Sequence, residues 1–534
     1  MKVVAYGHAC LKVLGGSSPG VGACLIDPWF SRSGAFFSGW FQFPENLPLR
    51  DAALEGVAGV CVSHNHADHF DPEFLGYALA TRSTLRVHLA RFATPWFAER
   101  ARRLLSPHAD RVVEHEPWEE FEASPGVRVF FVPEESPAQI DAAIVCVDGA
   151  STLVNLNDAR LTSAQLARIR ARIGEPDILA LQASGASEYP INYLYPPDAM
   201  AERGAEKRRL KLEHARRIIV DLAPHRVVFF AGPPVFLDAD LARFNAGGPG
   251  SVFPDQLDIL DHFQQHAPDI ASRALCVLPG EELCDERLWT RTDRGEARLH
   301  PYTHKADYLA AYALRRADLN SYDWGGMPED SRLIEHFTHM ATVSPWAAEK
   351  IGGALVFEIV GRSAKTSFTV DFATGTAYRG ASATPLYVLT APAASVAAVI
   401  AGEATWDDVF LSLRMTFDER TDRFVAHFKT LLKYLDPAIL QAVEAHESRA
   451  AGAEVPMITV RSGDSDHCIQ RLCPHAGADL AVHGQVDGEG TITCMAHRFR
   501  FDLRTGACLN TQGYALRVFA APALESTPAR REPV

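Results

Sequence analysis

Two cysteines and two histidines near the end of this 534-residue chain constrain it most. They read Cys473-Pro474-His475, then 18 intervening residues, then Cys494-Met495-Ala496-His497. A pair of thiolates can hold one iron of a two-iron cluster and a pair of neutral imidazoles the other, which removes negative charge and raises the reduction potential. Each half runs into a glycine-bearing loop, Ala476-Gly477-Ala478-Asp479 and Arg504-Thr505-Gly506, where backbone N–H groups can approach the sulfides. A zinc ribbon is the competing reading, but zinc sites more often pair cysteines as Cys-x2-Cys, and neither half does so. Cys468 and Cys508 stand outside the pattern and receive no ligand role.

The stretches "CPHAGADL" and "CMAHRFRFD", with a glycine shortly after, are similar to the two cluster loops of Rieske ferredoxin-like domains, with a somewhat longer spacer between them. The resemblance implies a [2Fe–2S] cluster on Cys473, His475, Cys494 and His497.

The rest of the chain is long enough for further domains. Residues 1 to about 240 alternate β-like runs, such as Gly59 to Val62, Val127 to Phe131 and Val227 to Phe230, with helical ones, such as Thr162 to Arg172 and Lys207 to Leu222. That alternation predicts an α/β unit with a sizeable sheet. Residues 240–340 read as long loops and short helices. Residues 350–435 read as an α+β segment, with paired strands at 354–360 and 367–372 and a largely helical stretch from Trp406 to Leu435. Residues 441–454 read as a linker and 455–521 as a small all-β unit. The predicted domains are thus 1–345, 346–440 and 455–521, with 522–534 as a disordered tail.

A second chemical motif, Ser63-His64-Asn65-His66-Ala67-Asp68-His69, directly follows the strand ending at Val62. Three histidines and an aspartate in six residues can converge on two adjacent metals if the backbone turns sharply there; otherwise they form a solvated histidine cluster. The run resembles the HxHxDH signature of the metallo-β-lactamase fold. Gly7-His8-Ala9-Cys10 and Leu25-Ile26-Asp27-Pro28-Trp29 are similar to its ascorbate-6-phosphate-lactonase-like branch. The fold class expected is therefore α/β: a metallo-β-lactamase-like αββα sandwich, an α+β middle module and a small all-β Rieske domain.

The resemblance implies His64, His66, Asp68 and His69 as metal ligands and catalytic residues, with Asp158, at the end of Asn155-Leu156-Asn157-Asp158, as a bridging ligand. An aspartate capping the helix near Thr162 is the alternative for Asp158. The fold normally adds two later histidines. The chain reads Pro133-Glu134-Glu135-Ser136-Pro137 and Phe230-Ala231-Gly232-Pro233-Pro234 at those places, without a histidine. Glu134 or Glu135 could substitute, and Glu135 is taken as the candidate. A His/carboxylate set with open positions suits non-heme iron, one ion or two, better than two zinc ions.

An electron-carrying cluster beside a metal site is not needed for hydrolysis, whereas reduction of O₂ at iron needs electrons delivered singly. The pairing resembles the CMP-N-acetylneuraminate hydroxylase family, on "SHNHADHF", "LVNLNDAR", "SGASEYPI", "LAPHRVVFFAGPP" and "GEATWDDVFLSLRM" in that order. The vertebrate members carry the Rieske domain first; here it is last. The resemblance implies an O₂-dependent monooxygenase, hydroxylating or N-oxidising a small polar substrate such as a nucleotide-linked one. It also implies an external electron donor, a ferredoxin or a cytochrome b5-like protein with its reductase. The alternative is a metal-dependent hydrolase or lactonase with a redox-sensing cluster; a non-enzymatic electron carrier is a third reading, against which the intact HxHxDH run stands.

Ser184 and Ser187, beyond the strand 178–181, are substrate-contact candidates. The basic run Arg203 to Arg217 reads either as a phosphate clamp or as a solvated face balanced by Glu202, Glu206 and Glu213. Residues 350–435 are faintly similar to sterol-carrier modules, in Gly352-Gly353, Val370-Asp371-Phe372 and Ile400-Ala401-Gly402-Glu403, but read better as a packing module. A formal charge of −14 makes nucleic acid or an anionic membrane a poor partner. Isolated cysteines at 24, 61, 146 and 276 read as buried thiols, and the chain as a protein of the reducing cytoplasm.

Overall fold

The computed structural model describes the chain except for residues 16–21, 137, 139, 150, 185–188, 248–250, 284–295, 320, 422–424, 453–455, 475–477, 496–498, 511–513 and 520–534. The predicted tail at 522–534 falls outside the described residues.

Two sheets form the first unit. One has six strands in order: β1 (Lys2–Ala5), β2 (Leu11–Leu14), β3 (Ala23–Ile26), β4 (Val57–Val62), β5 (Arg86–Ala90) and β6 (Val112–His115). The other holds β7 (Phe121–Ser124), β8 (Val127–Pro133), β9 (Ala142–Asp148), β10 (Ser151–Asn155), β11 (Ile178–Gln182), β12 (Arg226–Phe230) and β13 (Ala274–Leu275), again neighbour to neighbour. From β3 and from β10 onward the pairing is parallel, with helices as crossovers.

Strand alternation explains the layers. On β8, Val129 and Phe131 turn inward to meet Val13, Ile26 and Cys61 of the first sheet. Their neighbours Phe130 and Val132 turn outward, under the helices Ser163–Ile173, Pro197–Leu222 and Gln256–His266. On β4, Val60 and Val62 likewise face the helices Pro72–Thr81 and Trp96–Leu104. Both faces of each sheet are covered, giving an α/β/β/α stack. The long helix starts at Pro197, ten residues before its expected start at Lys207, because Pro197 sits in the first turn, where a missing N–H costs nothing.

The second sheet group is the five-stranded β16-β15-β14-β17-β18, made of β14 (Ala354–Val360), β15 (Lys365–Asp371), β16 (Thr376–Arg379), β17 (Tyr387–Pro392) and β18 (Thr416–Glu419). The stretch from Trp406 to Leu435 is not one helical run. Helices Trp406–Leu411 and Ala426–Tyr434 flank β18, whose Phe417 is fully buried and stacked on Tyr193 at 5.1 Å. Pairing with β17 overrides local helix preference there. Residues 441–452 of the expected linker lie in a helix, Pro437–Gly452, consistent with their alanines and glutamates.

The C-terminal part contains β19 (Met457–Ser462), β20 (Ser465–Gln470), β21 (Gly484–Val486), β22 (Thr491–Cys494), β23 (Phe499–Asp502) and β24 (Val518–Phe519), in two three-stranded sheets. Its apolar core includes Ile469, Ile492, Phe499, Phe501 and Tyr514 together with the thiols of Cys473 and Cys494. Among the described residues no helix is long and apolar enough to cross a membrane.

Candidate metal centre

The histidine-rich run leaves β4 at the C-terminal edge of the first sheet. Asp27, at the end of neighbouring β3, holds the turn: its carboxylate accepts from Ser63 N (2.7 Å) and Ser63 Oγ (2.6 Å). The N–H groups of His69 and Phe70 both bond to His66 O, so the chain doubles back and brings four side chains to one spot. That is the sharp turn on which convergence depended.

Each ring is fixed by its other nitrogen. His64 Nδ1 meets Ser63 Oγ at 2.9 Å, His66 Nε2 meets Asp407 Oδ2 at 2.9 Å, and His69 Nδ1 meets Asp27 Oδ2 at 3.0 Å. The nitrogens left over point inward. Two groups of three donors result, each within 4.8 Å of one another: His64, His66 and Asp158, and His8, Asp68 and His69. His69 Nε2 lies 3.5 Å from Asp158 Oδ1, which joins the two groups. Gln182, at the end of β11, donates to the same Asp158 oxygen at 2.6 Å.

Asp158 does not cap the following helix. Thr162 does that, in a reciprocal pair with Gln165. Glu135 stands apart from the cluster: it is exposed, and its carboxylate accepts from Thr162 Oγ1 at 3.3 Å. Strand alternation after Pro133 turns Glu134 inward instead, where it accepts from Arg160 N. The acidic group that faces the histidines from this region is Asp141, whose Oδ1 lies 3.9 Å from His64 Nδ1.

His8 was not foreseen as part of the centre, although Gly7-His8 carried a sequence signal. It adopts φ +45°, an unfavourable conformation for a non-glycine residue, on the β1–β2 turn. Its Nε2 contacts Asp68 Oδ2 at 2.9 Å. Ala231 N bonds to His8 O. The His8 backbone is thus fixed beside the end of β12, where the sequence lacks a late histidine, while its ring lies against Trp29 and His69.

The donor set fits a metal ion. Among the described residues, His69 Nε2 and Asp68 Oδ1 are buried without a hydrogen-bond partner, an expensive arrangement unless a cation completes it. The electrostatics agree. Burial favours the neutral ring of His69, yet Asp68, Asp158 and Asp27 push its pKa up to about 10. Burial, reinforced by the neighbouring His69, His66 and Lys433, drives His64 well below the usual histidine range. Burial and the adjacent Asp141 raise Glu134 to about 7.

A narrow cleft opens over His64 and His66. Its far wall comes from the middle module, through Thr405, Asp407, Lys433 and Tyr434. Ser184 is buried and its carbonyl accepts from Lys211, outside that cleft. Ser187 falls outside the described residues, as do His475 and His497, while Cys473 and Cys494 are buried thiols. The basic helix face is largely engaged: Arg209 and Arg216 pair with Glu206 and Glu213, and Arg217 pairs with Asp479 of the C-terminal part at 3.0 Å.

Comparison with known proteins gives two domain families. The Rieske [2Fe-2S] domain matches residues 438–520 and the beta-lactamase superfamily domain residues 23–230. The chain thus combines a metallo-β-lactamase-like α/β domain with a C-terminal Rieske domain. A chain named as a Rieske 2Fe-2S iron-sulfur protein in Mycobacterium tuberculosis (strain ATCC 25618 / H37Rv) is 30% identical over 562 residues, covering 97% of this chain and 99% of that protein. One from Mycolicibacterium smegmatis is 29% identical over 549 residues, with the same coverage. Among solved structures, the metallo-beta-lactamase fold protein YhfI from Bacillus subtilis covers 53% of this chain and 97% of its own, at 14% identity and a TM-score of 0.32. Sterol carrier protein 2 like 2 from Aedes aegypti covers 19% of this chain and 89% of its own, at 19% identity and a TM-score of 0.16.

Proposed function

Because this chain belongs to the family of the mycobacterial Rieske 2Fe-2S iron-sulfur proteins, we infer that it is an iron–sulfur-coupled monooxygenase. In this reading it hydroxylates or N-oxidises a small polar substrate with O₂, as in the CMP-N-acetylneuraminate hydroxylase family. The observation that carries it is a fused cluster domain beside a donor set of histidines and carboxylates: hydrolysis has no use for the electrons that such a domain holds.

Cys473, His475, Cys494 and His497 would hold the cluster. His64, His66 and Asp158 would hold one pocket metal and His8, Asp68 and His69 a second, with Asp158 near enough to serve both. Bound iron supplies one-electron chemistry toward O₂, which zinc does not. The protein does the positioning. Ser63, Asp27 and Asp407 lock the rings in the tautomers that leave the metal-facing nitrogens free. Lys433 supplies a positive charge at the cleft, 3.3 Å from Asp407, where an anionic substrate group could dock. Trp96, Phe97 and Tyr434 give the cleft apolar walls that limit water. A ferredoxin-like or cytochrome b5-like donor would refill the cluster from outside.

Metal analysis of anaerobically purified protein tests this. More than two irons per chain with little zinc is expected, since the cluster alone accounts for two. Two irons with stoichiometric zinc would overturn the oxygenase and favour a hydrolase carrying a redox-sensing cluster.

A further inference from the structure

Helix Ala426–Tyr434 touches both chemical sites. His427, in its first turn, is almost fully buried against the Rieske core, and Lys433 and Tyr434, at its other end, line the cleft beside His64 and His66. Tyr434 comes seven positions after His427, roughly 10 Å along a helix rising about 1.5 Å per residue.

The contacts along this helix are continuous. Tyr514 shares one apolar core with Cys473 and Cys494. Its ring stacks on His427 at 4.9 Å and 10°, and its hydroxyl bonds to His427 Nε2 and, at 2.5 Å, to Glu447 Oε1. Trp346 stands edge-on to His427 at 5.0 Å and 84°. Trp346 also packs against the small patch of Ala138, Ile439 and Val443, and so do Tyr434 and Trp96 of the cleft wall. From Tyr434 the chain steps back to Lys433, which pairs with Asp407, the partner of His66.

A seam needed only for adhesion would be served by aliphatic packing. A buried Tyr–His–Glu cluster at a seam is costly unless every group is satisfied, and here it is backed by a tryptophan. We propose that the Tyr514–His427–Trp346 contact, continued by Tyr434, Lys433 and Asp407, is the path by which electrons pass from the cluster to the pocket metal within one chain. This rests on the function inferred above. One electron passes per event: the singly reduced cluster returns to its oxidised form and the pocket metal gains that electron. The side chains between are neither oxidised nor reduced; they replace empty space, across which tunnelling decays more steeply, with packed and hydrogen-bonded atoms.

The test uses the full-length protein with cluster and pocket metal loaded, reduced with dithionite and mixed with O₂, the cluster's visible absorption reporting its reoxidation. Trp346→Ala, which opens a void in the path, is expected to slow reoxidation about tenfold, and Trp346→Phe to recover most of the rate. The cluster's midpoint potential and reduced EPR spectrum should be unchanged in both. Wild-type rates in Trp346→Ala overturn the path. So does a Phe variant as slow as the Ala variant. A His64→Ala protein separates the two levels: if it reoxidises as fast as wild type, the cluster never fed the pocket, and the function inferred above fails first. A readout without turnover is the cluster's EPR relaxation with Mn(II) in the pocket. Enhancement in wild type and both Trp346 variants supports a short separation, and its absence in wild type overturns the path.

Discussion

Asp407 reaches across from the middle module to His66: its Oδ2 lies 2.9 Å from Nε2 of a ring that belongs to the other unit. With the carboxylate ionised, Nε2–H donates, and Nδ1 is left facing His64 and Asp158. Burial alone would favour the uncharged ring, but the Asp407 bond outweighs it and raises the His66 pKa. Such outer carboxylates typically contribute 10- to 100-fold to metal affinity, at about 10–100-fold per partner. Asp407→Asn should weaken pocket-metal binding by about that factor in a chelator competition, with the Rieske EPR signal intact. Unchanged affinity would mean that the middle module merely touches the site.

His8 should account for one metal and not the other. His8→Asn keeps a residue type that tolerates the positive φ of this turn. The variant is expected to lose one pocket equivalent of metal while the His64, His66 and Asp158 group keeps its own. Metal content by atomic emission, together with a thermal melt to confirm folding, decides the matter. Retention of the full complement would remove His8 from the donor set.

Asp141 and Glu135 can be set against each other. Asp141 is buried with Oδ1 unpartnered and faces His64, whereas Glu135 is exposed and bonded to Thr162. Asp141→Asn should lower pocket-metal affinity several-fold, and Glu135→Gln should leave it within error of wild type. The reverse order would restore Glu135 as a ligand.

This contrast shows where the sequence stops being informative. The convergence of the HxHxDH run with Asp158 was legible because those residue types are dense and sit at strand ends, and the Rieske domain because the spacing of its motif is local. The choice between Glu134 and Glu135, and the approach of Asp141, were not legible because a loop's direction is set by tertiary pairing: Glu134 N bonds to Asp141 O, a closure that the residues between do not announce. Asp407 lay further out of reach, since it meets His66 341 residues away in the chain. The β18 strand failed for the same reason, its partner β17 deciding what local helix propensity could not.

Acid stability should report a buried histidine outside the donor set. His88 on β5 contacts His115 Nε2 at 2.9 Å, and burial, with help from His115 and Arg86, lowers its pKa to about 3. In the unfolded chain the ring titrates near 6.5. Above pH 6.5 both states are neutral at this position and stability is at its full value. Between 6.5 and 3 only the unfolded chain takes up the proton, so stability falls as the pH drops through that window. At pH 5 the loss is about 2 kcal/mol, from about 1.4 kcal/mol per unit over 1.5 units. His88→Gln, which keeps a hydrogen-bonding group toward His115 but cannot titrate, should therefore lose about 2 kcal/mol less than wild type between pH 7.5 and pH 5 in urea unfolding. Distant titrating groups cancel in that difference, and a parallel comparison of His115→Gln with the double variant removes the contribution of His115, whose own pKa burial lowers. Equal losses in the two proteins would mean that His88 is already charged, or solvated, in the folded state.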